Sequence, residues 1–118
     1  MTPIKDDQVF VFGSNLLGMH RRGAAADALM KYGANPGQGV GMQGKSYAIP
    51  TKATPWKRLP LPDIQRYVEE FLEYAKTHPE QEFYVTRIGC GLAGYSDSDI
   101  APMFRNAPRN CELPELWG

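Results

Sequence analysis

The sequence predicts an α/β domain of three layers, a small, largely parallel or mixed sheet flanked by helices. Three observations predict it: β-rich runs alternate with helical ones in the order β-α-β-α-β-α-(β), one helix carries a clear apolar stripe, and glycine-rich turns follow the strands. "QVFVF" (Gln8 to Phe12) is a β-rich run ended by Gly13, which reads as a buried strand. "GAAADALMKYG" is a helix of strong helix formers from Ala24, with Gly33 as its stop. Residues 33 to 45 are a glycine-rich loop, "SYAI" is a short strand closed by Pro50, and "TKATPWKRLPLP" is an irregular, proline-punctuated segment. In "PDIQRYVEEFLEYAKTH", Ile64, Tyr67, Val68, Phe71, Leu72 and Ala75 form one helical stripe between Pro62 and Pro79. "EFYVTRI" is a third strand and "GCGLAGYSDSD" a glycine-rich loop. "DIAPMFRNA" is a short helix with Ser96 or Ser98 as N-cap, and "CEL" a last strand.

Bulk properties bound the function. At 118 residues the chain is expected to form one domain, residues 1–118, with a core that needs no metal or disulfide. Thirteen Lys plus Arg balance 13 Asp plus Glu, so no global field recruits nucleic acid or an anionic membrane. No apolar run reaches membrane-spanning length and no leader pattern is visible, so a cytoplasmic location is the expectation. Cys90 and Cys111 are too few for a disulfide framework, and His20 and His78 stand alone, so neither metal nor cofactor is expected.

Residues 39 to 46, "GVGMQGKS", match the G-x-x-x-x-G-K-[ST] pattern of a phosphate-cradling P-loop. That loop needs a strand before it and a helix after its Lys-Ser. Here a helix ends at Gly33, and "YAIPTK" follows Ser46, with Pro50 set to break any helix. The order is inverted, and Lys45 and Ser46 are not expected to hold phosphate.

In open α/β sheets, ligands sit outside the carboxyl ends of the strands. Three loops with unusual chemistry fall there: "GSNLLGMHRRG", "PTK" and "GCGLAGYSDSD". Glycine lets backbone approach a ligand closely, and strand-to-helix turns aim free N–H groups at anions. Their convergence on one rim points to a phosphate-bearing, nucleotide-like ligand.

These residues carry a resemblance. "RIGCGLAGYSDSDIAPMF" looks like the "IGCGL" phosphate loop of macro domains, particularly the terminal ADP-ribose glycohydrolase branch. "RRGAAADALMKYG" resembles the helix start that lines the distal ribose there, "SYAIPTK" the strand ending in Thr-Lys, and "FGSN" the site of the ribose-contacting asparagine. The chain also looks like small macro-like proteins of phages and bacteria. The resemblance implies a single macro-like domain that binds ADP-ribose or a related nucleotide, free or on an ADP-ribosylated protein, and that hydrolyses an ADP-ribosyl linkage if it is catalytic. It implies that Lys52 attacks the ribose anomeric carbon or lies near it as a cation, with Asp97 or Asp99 as acid/base. The ligand-binding set it implies is Gly13, Ser14, Asn15, Arg22, Gly23, Thr51, Gly89, Cys90, Gly91, Leu92, Ala93, Gly94 and Tyr95. Two departures stand out: Ala93 replaces the catalytic aspartate of the glycohydrolase branch, and His20-Arg21-Arg22 replaces part of its glycine-rich turn.

Other readings stay open. A non-catalytic nucleotide-signal reader or sponge of phage or bacterial origin fits Ala93. "VFGSN" suggests a phosphoribohydrolase-like Rossmann enzyme, which would need an acid-bearing Gly-Thr loop absent from the sequence. A protein-interaction module with purely structural glycines is the third class. Cys90 reads as an inert buried thiol, with no paired histidine. Arg87 either faces the ligand or pairs with an acid such as Glu69, and Tyr95 either stacks on a ligand or covers the core. Trp56 reads as a cover for the long helix rather than a ligand platform, although the position of its loop leaves room for either. The loop "PGQGVGMQG" is either a lid over the pocket or a bare connector.

Overall fold

The computed structural model describes residues 3–117. A mixed sheet of six strands is covered by helices on both faces. Its centre is β1 (Gln8–Asn15), paired in parallel with β3 (Ser46–Thr54) on one side and β5 (Glu82–Val85) on the other. Strand β6 (Cys111–Glu112) extends the sheet in parallel beyond β5, while β2 (Gly41–Gln43) and β4 (Lys57–Arg58) lie antiparallel to β3.

A central strand with both neighbours parallel is buried on both faces, so it reads as a continuous apolar run. Val9 and Val11 point to one face with Tyr47, Ile49, Phe83 and Val85; Phe10 and Phe12 point to the other with Ala48. The first face is covered by α2 (Leu61–Thr77), whose Ile64, Val68, Phe71 and Ala75 are fully buried along the predicted stripe. The short α3 (Asp97–Ile100) and the 3₁₀ turn Ala101–Phe104 complete that layer through Ile100, Met103 and Phe104. The opposite face takes α1 (Gly23–Lys31), which lays Ala25 and Ala28 against the Phe10 and Phe12 rings. Alanines there allow a close approach of helix to sheet.

The strands differ from the sequence expectation in five places, one of them β4, which forms inside the segment expected to be irregular. Strand β1 continues past Gly13, because Gly13 and Ser14 stay in register with Ile49 and Pro50. Strand β3 continues through Pro50 to Thr54. Pro50 falls in the gap between the two antiparallel partners of β3, a local edge where a missing N–H is tolerated. Strand β2 arises inside the expected loop, joined to β3 by the two-residue turn Gly44–Lys45, with Gly44 at φ +58°. Strand β5 stops early: both the N–H and the Oγ1 of Thr86 donate to Val11 O, at 3.1 and 2.7 Å, and the chain then turns out of the sheet.

Three of the glycines of residues 33–44, Gly33, Gly39 and Gly44, are spent on close backbone packing. Gly37 N–H donates to Gly18 O at 2.9 Å, and a Cβ on Gly18 would overlap the Gly37 and Gln38 backbone. A Cβ on Gly39 would run into Asn15 O, and one on Gly44 into Gly33 O. The segment is a connector docked behind the loop after β1, further pinned by Ser14 Oγ donating to Gly39 O at 2.5 Å. Of the two readings, lid or connector, the geometry is that of the connector.

Candidate functional site

The loops after β1, β3 and β5, with the start of α1, enclose a cleft of about 700 Å³ at the carboxyl ends of the parallel strands. This is the size of a small-molecule site and the position expected for one in an α/β sheet.

Gly13 forms part of the floor, where an added Cβ would sit 3.4 Å from Thr51 Oγ1 and 3.5 Å from Gly89 N. Ser14 and Thr51 are buried, and their hydroxyls are already committed, to Gly39 O and Ser14 O. Asn15 uses its side chain on the next turn: Nδ2 donates to Met19 O and Oδ1 accepts from Met19 N–H, both at 3.1 Å. It therefore shapes the loop that ends in Arg21 and Arg22. His20, buried, braces the same loop from beneath, with Nε2 3.0 Å from Gln38 O and its ring edge on Phe12.

The loop after β5 is built to leave donors free. Gly89 sits at φ +75°, where its missing Cβ also avoids Ile100. Within the loop, Cys90 N–H donates to Arg87 O, Gly94 N–H to Gly91 O and Tyr95 N–H to Gly89 O. The N–H groups of Gly89, Gly91, Leu92 and Ala93 have no hydrogen-bond partner among the described residues, and all four residues line the cleft. Such a run of backbone donors forms an anion-binding concavity.

Charge has the same sense. Arg21, Arg22, Lys52 and Arg87 line the cleft and, among the described residues, no carboxylate does. Arg21 and Arg22 are exposed and form no ion pair among those residues. Lys52 Nζ donates to Pro55 O at 2.9 Å. Arg87 is bidentate on Asp97, at 3.0 and 2.6 Å, so its partner acid is Asp97 rather than Glu69.

Eleven of the sixteen expected site residues meet in this cleft: Gly13, Ser14, Asn15, Arg22, Gly23, Thr51, Lys52, Gly89, Gly91, Leu92 and Ala93. Five do not line it, each for a visible reason. Asp97 accepts from Arg87 and from Trp117 Nε1 (2.6 Å), contacts that hold its carboxyl down at about 2. Asp99 accepts from the N–H and Oγ of Ser96, capping α3. The Cys90 N–H closes a turn, and burial, then the neighbouring Asp97, push its thiol up to about 11. Gly94, at φ +80°, has its N–H tied to Gly91 O. Tyr95 donates its hydroxyl to Leu59 O at 2.6 Å and carries the Arg58 guanidinium 4.3 Å over its ring.

Residues outside the expected set also line the cleft, among them Met19, Ala24, Thr86, Ile88, Pro55 and Trp56. Trp56 does not cover the long helix. It stands 86% exposed at the turn between β3 and β4, where only the hairpin, invisible as a pattern in "TPWKRLP", explains its position. Among the described residues no group of three or more His, Cys, Asp or Glu is placed to hold a metal ion, and no helix is long and apolar enough to cross a membrane. Comparison of the chain with protein-family models, with curated proteins and with solved structures finds no match.

Proposed function

We propose that the chain binds ADP-ribose or a related nucleotide in this cleft, as a receptor for the ligand rather than a catalyst of its turnover. The observation that carries the reading is the pairing of four unused backbone N–H groups, on Gly89, Gly91, Leu92 and Ala93, with Arg21, Arg22 and Lys52 in a cleft lined by no described carboxylate. A diphosphate needs several convergent donors and positive charge, and this arrangement supplies both without having to expel a competing anion. The motif likeness to macro domains points to the same class of ligand.

Hydrolysis by the route the likeness suggests would need an acid or base beside Lys52. Asp97 is engaged by Arg87 and Trp117, Asp99 caps α3, and position 93 is alanine. A hydrolase without that group forgoes about 10²–10⁴-fold in rate, which favours the reader over the enzyme.

Calorimetric titration of the whole chain with ADP-ribose, ADP and AMP tests the reading. Saturable heat is expected, weakened when Arg21 and Arg22 are both changed to Ala. Absence of heat from all three nucleotides would refute it. Incubation with an ADP-ribosylated peptide is expected to leave the label in place; its release by the wild type and not by Lys52→Ala would establish the hydrolase instead.

A further inference from the structure

We infer that Trp56 is a stacking platform for a flat heteroaromatic ring carried by the ligand. The inference rests on the nucleotide reading and adds to it that the base, as well as the phosphates, is recognised.

Trp56 occupies the second position of the two-residue turn that joins Thr54 of β3 to Lys57 of β4. An indole buries more apolar surface than almost any other side chain when it finds a partner. The chain does this with Trp117, which packs on Phe104 at 5.0 Å and donates Nε1–H to Asp97. Trp56 instead stays 86% exposed, and no aromatic ring among the described residues packs on it. An exposed indole is informative when it borders a pocket, and this one lines the cleft.

The turn that carries it is fixed. Lys52 Nζ donates to Pro55 O at 2.9 Å, and Trp56 N–H donates to Thr54 Oγ1 at 3.2 Å. Pro55 restricts the turn further through its ring. The indole is thus presented by a braced hairpin, and little ordering remains to oppose binding. Lys52 acts in this arrangement as a positioning residue, holding the turn that bears the ring.

Charge selects the occupant. An apolar peptide or a lipid tail would suit the indole but leave Arg21, Arg22 and the free N–H groups without anionic partners. A nucleotide occupies both parts at once: π-face on the indole, phosphates on the donors. Stacking a base on an aromatic side chain contributes a factor of about 5 to 150 in affinity.

The test compares wild type, Trp56→Phe and Trp56→Ala, titrated with ADP-ribose, ADP, pyrophosphate and ribose 5-phosphate. An exposed turn residue can be changed without disturbing the core, so all three are expected to fold alike. Trp56→Ala is expected to lose about 5- to 150-fold in affinity for ADP and ADP-ribose, with pyrophosphate binding unchanged and Trp56→Phe close to wild type. Indole emission is expected to be quenched by ADP in the wild type and not in Trp56→Phe. Wild-type affinity of Trp56→Ala for both nucleotides would overturn the platform and leave the nucleotide reading standing. Equal weakening of pyrophosphate and ADP would also overturn it, by assigning Trp56 a structural role. No binding of any of the four compounds to the wild type would overturn both readings.

Discussion

Substituting Gly18 tests whether residues 33–44 are docked against the loop after β1. Gly18 has φ +70°, and a Cβ there would overlap the Gly37 and Gln38 backbone, which cannot swing aside as a side-chain tip can. The left-handed conformation costs an alanine about 1–2 kcal/mol. Forcing a methyl group into packed backbone costs about a further 1–3 kcal/mol, and about 0.4–1 kcal/mol returns because alanine restricts the unfolded chain. Gly18→Ala is therefore expected to destabilise by about 2–4 kcal/mol. Gly37 supplies the control: its φ is +86°, but no atom lies within 4 Å of an added Cβ, so only the backbone cost applies. Gly37→Ala should lose about 1 kcal/mol. Urea denaturation followed by circular dichroism separates them. With a slope of about 1.5 kcal/mol per molar, the midpoint should fall by roughly 1.3–2.7 M for Gly18→Ala and by about 0.7 M for Gly37→Ala. Equal losses, or a tolerated Gly18→Ala, would refute the docked connector and favour a loose loop.

Other outcomes follow from single interactions. Asn110 Nδ2 donates to Ala75 O, His78 O and Gln81 O at 2.9, 3.1 and 3.1 Å, tying off the carboxyl end of α2, so Asn110→Ala should cost about 1–3 kcal/mol by the same denaturation assay. Gly91 has no left-handed φ and open space where a Cβ would go, so Gly91→Ala should leave the urea midpoint within about 0.5 kcal/mol of wild type while crowding the donors and weakening nucleotide binding in calorimetry. The Asp97 carboxyl is lowered from 3.8 to about 2 by Arg87 and then Trp117, so the stability it contributes is complete above pH 4 and is lost as pH falls from about 4 to about 2. Asp97→Asn should flatten that part of the acid-stability profile. Burial pushes Cys90 to about 11 and Cys111 to about 12, so both thiols should resist iodoacetamide in the folded chain at pH 7.5, and rapid labelling of Cys90 would contradict its placement.

Where local pattern and tertiary environment agree, the sequence was legible. The stripe of α2 and the two-sided apolar run of β1 are direct readings of burial, and the glycine-bearing loops after β1 and β5 do meet Thr51 and Lys52 at one rim, although those two residues lie within β3 rather than in a loop. Legibility failed where pairing overrides local preference. Strand β2 has only Met42 as a β-compatible apolar residue between glycines, and it exists because β3 offers it an edge. Pro50 looked like a terminator because its local edge position depends on where β2 ends and β4 begins. The site divides in the same way. Lys52, Gly89 and Gly91 were found through their place at strand ends, whereas Trp56 needed the hairpin. Asp97 and Asp99 were plausible acids by proximity in sequence, but the Arg87–Asp97 pair spans ten residues and the Ser96–Asp99 cap three, distances at which only the turn geometry decides partners. Lys45, the would-be P-loop lysine, reaches Asp6 O instead and lies outside the cleft.

The nucleotide reading places the phosphates of the ligand on the backbone donors after β5. The most direct measurement is a ¹⁵N–¹H correlation spectrum of the whole chain, titrated with ADP-ribose. Saturable shifts are expected, concentrated at the amides of Gly89, Gly91, Leu92 and Ala93, with those of Arg21, Arg22 and Trp56 following at the same apparent Kd. Unmoved amides from Gly89 to Ala93 at millimolar ligand, or shifts confined to residues outside the cleft, would contradict it.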